Sequence, residues 1–398
     1  MRSHRVDRSG PLAVHVVSAA DDLAHITVSV AGEGEGTAWA AQEGYRRVGK
    51  FLTARRMQVV HERVFGSLSA REDVLGSRAE ALRECGVADD GPVTYVEGRP
   101  IWGNGLAGAQ LMAVRPARPD AIVPVQDGGV TVGRRWERSG AEFTVLQNVH
   151  GLLHGTSAQA ARAGQAERMF EEALRVLRTQ RLGYGQVART WIYLADILDW
   201  YDEFNLARNS RYTAFGLMPD SAGDSSGQPV RLPASTGIEG RNSYGAACIM
   251  DLLAVAGGPT ARVSVVPMAN VKQADAYRYG SAFSRGVCIR EPDLAQIQIS
   301  GTAAIDEQGR SLSPNDARAQ VLWTLDSVQS LISQEGAALS DMAQGTLFLK
   351  RAADYPACCR AIAERGLADM PVVCVQADVC REELLFEMDG VAVLARRD

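Results

Sequence analysis

The stretch that decides the fold is PVTYVEGRPIWGNGLAGAQLMAV at 92–114, because it returns as PASTGIEGRNSYGAACIMDLLAV at 233–255 and as PVVCVQADVCREELLFEMDGVAV at 371–393. The three copies align without a gap. Each starts at a proline (Pro92, Pro233, Pro371), runs into a strand-like segment, crosses a loop and ends in a second strand closing on Ala-Val. Repetition at about 140 residues marks one supersecondary unit written three times.

Upstream of each copy the same elements recur. Residues 170–182 carry Phe170, Ala173, Leu174 and Leu177 at helical spacing and lead to a strand at 190–194. Residues 321–332 repeat this with Val321, Leu322, Leu325, Val328 and Leu331, before a strand at 346–350, and Ser313-Pro314 offers this helix a start. In the first copy, 39–52 and 57–65 take these parts, and the third copy also opens with strands at 286–289 and 295–300. The expected unit is β-β-α-β-α-β-β, a mixed sheet covered on one face by two helices, and three such units in one α/β (α+β) chain form a pseudo-trimer. The boundaries expected are unit one at 1–115, a linker at 116–140 containing Gly128-Gly129, unit two at 141–257 and unit three at 258–398. Residues 219–228, rich in Gly, Ser and Asp, read as a surface excursion.

Composition narrows the function. The 398 residues exceed what one hydrophobic core usually serves, and 46% hydrophobic with 22% charged residues is ordinary for a globular chain. A net charge of −5 gives no basic field for nucleic acid. Seven scattered cysteines without metal-ligand spacing fit a reduced, cytoplasmic setting, and no run is long enough to span a membrane.

Where the repeats differ is where function is expected. Glu387 stands in a strand where the other copies have Ile249 and Gly108. A carboxyl at a buried strand position is costly unless paired or used, and burial raises its pKa towards the range of a general acid. The alternative is a strand with a wet face. Asp389 discriminates less, because the second copy also has an acid there, Asp251. Cys380, in the loop entering this strand, shares the site or merely packs beside it.

The third unit, through FSRG at 283–286, ISGTA at 299–303, VVC at 372–374 and FEMD at 386–389, resembles the RidA/YjgF reactive-intermediate deaminases. Those are homotrimers with a site at each subunit interface. The resemblance implies that 283–286 line the site and that Glu387, thirteen residues after Cys374, handles a proton. The family's carboxylate-binding arginine is replaced by Val372, which argues against imine hydrolysis.

The chain as a whole resembles the chorismatases. The stretches that carry this are RTWIYL at 189–194, DWYDEFN at 199–205, PASTGI at 233–238, YGSAFSR at 279–285 and DVCREELLFE at 378–387. That resemblance implies conversion of chorismate to pyruvate and a ring acid, with Glu387 protonating the enolpyruvyl methylene. A cysteine at 380 goes with hydroxybenzoate-forming members, whereas Gly286 looks like the smaller residue of hydrolysing members; the product expected is 3-hydroxybenzoate, alone or together with 4-hydroxybenzoate, with a dihydroxycyclohexadienoate as the alternative. Substrate carboxylates call for arginines, and the candidates are Arg189, Arg211 with Tyr212, Arg285 and Arg360, alongside Phe283 and Gly286. Chorismate is the only partner expected, with no cofactor and no metal, and the chain is expected to act as a monomer or weak homo-oligomer. An imine deaminase and a non-catalytic ligand binder are the rival readings.

Two other motifs are set aside. His150 and His154 have zinc-like spacing but are flanked by Gly151 and Gly155. The Gly-rich run at 32–36 carries acids where a phosphate would sit.

Overall fold

The computed structural model describes residues 2–32, 36–118, 120–152, 162–219, 230–258 and 261–396. His154 and most of 219–228 lie outside them.

The chain forms three six-stranded sheets, each with two helices. Unit one contains β1 (Ser3–Ser9), β2 (Leu12–Ala20), β3 (Leu23–Val30), α1 (Thr37–Arg55), β4 (Gln58–Gly66), α2 (Arg71–Glu84), β5 (Thr94–Glu97) and β6 (Leu106–Val114). Unit two contains β7 (Val123–Asp127), β8 (Val130–Arg138), β9 (Ala141–His150), α3 (Arg162–Thr179), β10 (Val187–Leu194), α4 (Tyr201–Ala214), β11 (Ala234–Glu239) and β12 (Cys248–Gly257). Unit three contains β13 (Ser264–Met268), β14 (Gly286–Arg290), β15 (Leu294–Ala303), α5 (Ala317–Ile332), β16 (Met342–Leu349), α6 (Tyr355–Glu364), β17 (Val372–Gln376) and β18 (Phe386–Ala395). The strand order is the same in all three, β13-β14-β15-β18-β16-β17 in the last, with one parallel pair per sheet, β16 with β17. This is a RidA/YjgF-like fold repeated three times in one chain.

Each unit has one more strand than the repeat suggested. The extra strand lies at the sheet edge, and its sequences are polar or interrupted by proline (SHRVDRS, VPVQD with Pro124, SVVPM with Pro267), as befits an edge that must not recruit another chain. The expected linker at 116–140 is corrected accordingly: it contains the β7–β8 hairpin, which closes the second sheet on the turn at Gly128 and Gly129, both at positive φ. The third-unit helix starts at Asp316, whose carboxylate accepts from the Ala319 N–H at 2.9 Å, two residues beyond the expected proline.

The helices follow from period. In α3 the buried Ala166, Met169, Phe170, Ala173, Val176 and Leu177 line one stripe, which packs on the sheet. Each unit thus has its own helix–sheet core. The opposite sheet faces pack against one another in a fourth, shared core, in which Phe65, Tyr193 and Phe348 are drawn one from each unit. The interior of the molecule is a three-way interface.

Candidate functional site

Polar residues stitch that interface. Asp251 of unit two accepts from His61 Nε2 at 2.9 Å and from Thr94 Oγ1 at 2.8 Å in unit one. At the equivalent position of unit three, Asp389 accepts from Arg189 Nη2 at 2.9 Å and from Thr236 Oγ1 at 2.7 Å in unit two. All of these partners are buried.

Beside the second of these contacts a cavity of about 120 Å³ opens on the seam between units two and three. Unit two contributes Tyr201, Asp202 and Asn205 from α4, with Ser235 and Gly237 from β11. Unit three contributes Ser281, Phe283, Arg285, Gly301, Ala303, Ile305, Cys380, Arg381 and Glu387. The seam is held by Ser300 Oγ, which donates to the Ser284 carbonyl at 2.5 Å and accepts from the Ser235 N–H at 2.9 Å.

Glu387 is the second residue of β18 and pairs with Ala303 and Phe348. The register of β15 slips between Ile299 and Thr302, a bulge opposite it. Gly301 sits in this bulge, and a Cβ there would run into Glu387 Oε1, so the carboxyl occupies the space the glycine leaves. Only 5% of Glu387 is exposed. Burial first, then the neighbouring Asp389, pushes its pKa from 4.5 to about 8, against the pull of Arg285 and Arg189. Cys380 is also pushed up, to about 12, by burial and by Glu387, so it is a neutral thiol at ordinary pH. Among the described residues no group of three or more His, Cys, Asp or Glu is placed to hold a metal ion.

Of the residues expected from sequence, Glu387, Cys380, Phe283 and Arg285 line this cavity together. Arg285 is 3% exposed, donates through Nε and Nη2 to the Ala274 carbonyl at 2.9 and 2.7 Å, and lies 5.4 Å from the Phe283 ring centre.

The other five expectations are corrected. Arg189 does not line the cavity: it is committed to Asp389 and Thr236, stacks 5.0 Å from the Trp191 ring, and is lowered to about 10 by burial. Arg211 faces outward from α4 and pairs with Glu171 at 2.6 Å. Tyr212 is buried against Phe170 and Tyr184 in the core of unit two. Gly286 does not line the cavity either, since a Cβ there would meet Leu331 of α5 and the Gln298 carbonyl. Arg360 is an exposed residue of α6 that takes no part in the lining.

The α4 wall was read only in part. From sequence the acids at 196–203 look like a solvated helix start with Trp200-Tyr201 able to pack under the site, whereas Tyr201, Asp202 and Asn205 all line the cavity, Asn205 standing one turn on from the other two, a spacing already present in the DWYDEFN stretch. Arg381 and Gly301 were missed.

Comparison with known proteins follows the same lines. The endoribonuclease L-PSP family profile matches residues 279–394. A chorismatase from Streptomyces hygroscopicus is 29% identical over 234 residues, 54% of this chain. The match spans 63% of that chorismatase, just under two thirds of its length. A 3-hydroxybenzoate synthase from Streptomyces hygroscopicus is 26% identical over 74% of this chain and 88% of its own. The 3-aminoacrylate deaminase RutC of Acinetobacter baylyi is 31% identical over 97 residues, 24% of this chain and 77% of its own. Among solved structures, a chorismatase crystal structure superposes with a TM-score of 0.61 at 21% identity, over 84% of this chain and 93% of that one.

Proposed function

The chain belongs to the endoribonuclease L-PSP (RidA/YjgF) family and is homologous to chorismatases, and from that premise we propose that it is a chorismatase whose acid is Glu387. The observation that carries the reading is the buried Glu387 carboxyl, held at a pKa of about 8 in a cavity shared with Arg285. At neutral pH such a group is protonated and can deliver its proton. Delivered to the enol-ether methylene carbon of chorismate, that proton produces an oxocarbenium ion, and cleavage of the ether releases pyruvate. Arg285 is the cation for a substrate carboxylate, and Phe283 packs beside it.

The product proposed is 3-hydroxybenzoate, formed when the ring hydroxyl displaces the side chain and the ring aromatises. Cys380 assists as a neutral thiol against the ring. Chorismate and the pair of pyruvate and hydroxybenzoate have the same composition, so no water is consumed; the hydrolytic alternative adds one water and leaves a non-aromatic diol. The 3-hydroxybenzoate synthase among the relatives favours the first course. With three units in one polypeptide, we place the enzyme in the cytoplasm as a monomer or weak homo-oligomer.

The test is to incubate the protein with chorismate, assay pyruvate, and identify the ring product by chromatography and mass. Wild type should release pyruvate and Glu387→Gln should lose at least about a thousandfold in rate. Absence of pyruvate from the wild type removes the activity, and a diol as sole product removes the hydroxybenzoate assignment. Cys380→Ala should change the product ratio, and an unchanged ratio takes Cys380 out of the chemistry.

A further inference from the structure

We propose that Asn205 and Asp202 form a hydroxyl-reading pair in the cavity: the Asn205 amide donates to a neutral ring oxygen of the substrate, and Asp202 accepts the proton of that same hydroxyl. The assignment rests on the reading of the substrate as a ring acid with a free hydroxyl.

The orientation of Asn205 is set by its neighbour one turn on. Arg208 Nη2 donates to Asn205 Oδ1 at 2.5 Å, and an arginine has no acceptor, so the amide cannot be turned round. Arg208 is itself 1% exposed and held between the rings of Phe204 and Phe283, 5.3 and 5.4 Å from their centres. With Oδ1 taken, Nδ2 is the group Asn205 has left to offer the cavity it lines, and among the described residues no protein acceptor engages it. Asp202 lies three residues earlier on the same face of α4 and lines the same cavity.

Charge then decides which substrate oxygen belongs here. A carboxylate placed against Asn205 would also face the Asp202 carboxylate, whereas Arg285 and Arg381 lie across the seam in unit three. The carboxylates therefore go to the unit-three wall, and the oxygen at α4 is a neutral one that both accepts and donates.

The experiment measures kcat and KM for chorismate, with thermal denaturation, in Asn205→Ala, Asn205→Asp, Asp202→Asn and Asp202→Ala. Asn205→Ala should raise KM roughly ten- to a hundredfold with a smaller change in kcat. Asn205→Asp keeps an acceptor for Arg208, so the melting temperature should hold or rise while KM climbs at least as far. Asp202→Asn should raise KM by a few-fold and Asp202→Ala by about tenfold or more. An unchanged KM in either Asn205 variant overturns the pair, and so does a lowered KM in Asp202→Asn, which would put a carboxylate beside α4. A wild type that releases no pyruvate is a separate result: it removes the chorismate reading, and this assignment goes with it.

Discussion

Glu387 holds its proton because it is buried, and the same burial has a thermodynamic consequence. Its folded pKa of about 8 lies above the ordinary 4.5, so the folded state binds more protons than the unfolded chain between those values. Stability is therefore greatest below about pH 4.5 on account of this group and declines as pH rises through 8. Glu387→Gln, which cannot ionise, should match wild type in acid and exceed it at pH 9 by several kcal/mol, measured by denaturant unfolding across pH. The rate should show the mirror of this, flat below neutrality and falling as pH passes 8; a rate that rises through pH 8 would mean the carboxylate, not the acid, is the working form. Glu387 was legible in the sequence because an acid in a strand breaks a pattern its two sister copies keep. The arginines were not legible, since a guanidinium reads the same whether it faces substrate, solvent or a buried aspartate, and only the fold sorts Arg285 from Arg189, Arg211 and Arg360.

At the scale of elements, strands β18 and β15 build the acid's seat together. The bulge after Ile299 brings Gly301 under the carboxyl, where any side chain would displace it. Gly301→Ala should fold, because the contact is with a side chain, yet lose about a hundredfold or more in kcat by moving the proton donor; full activity in a folded variant would show that the carboxyl works from another position. The neighbouring contact between β18 and β10 behaves differently. Removing Arg189 alone, as Arg189→Met, strands the buried Asp389 and should cost about 3–5 kcal/mol, whereas Arg189→Met with Asp389→Leu should recover most of that loss. If the single and double variants unfold at the same denaturant concentration, the pair is not the seam's electrostatic tie. Helices and inner strands were readable from apolar period. The edge strands β1, β7 and β13 were not, because what keeps an edge from aggregating, charge and proline, is also what makes a strand look like a loop.

On the scale of the whole molecule, three like units present three like seams, and one of them carries the cavity that holds Glu387. The reason lies in the counterparts around each acid position. In unit two Ile249 stands for Glu387 and is fully buried in the shared core. By register, Asn148 stands for Gly301, and its side chain donates to the Val93 carbonyl at 3.0 Å while its N–H donates to Asp251, filling the space that the glycine leaves open. Val132 stands for Arg285, so the cation is gone too. In unit one Gly108 stands at the acid position and lies against Val373 of unit three, which closes that seam with hydrocarbon. Restoring the acid alone should therefore restore nothing. Ile249→Glu should bury a carboxyl with no room and no cation, lowering stability by several kcal/mol. Turnover per folded molecule should stay at the wild-type level, measured as pyruvate release after correction for the unfolded fraction. A second increment of activity from this one substitution would mean that the ancestral geometry of the site survives in the unit-one/unit-two seam, and that the glycine and the arginine are dispensable in the working site as well.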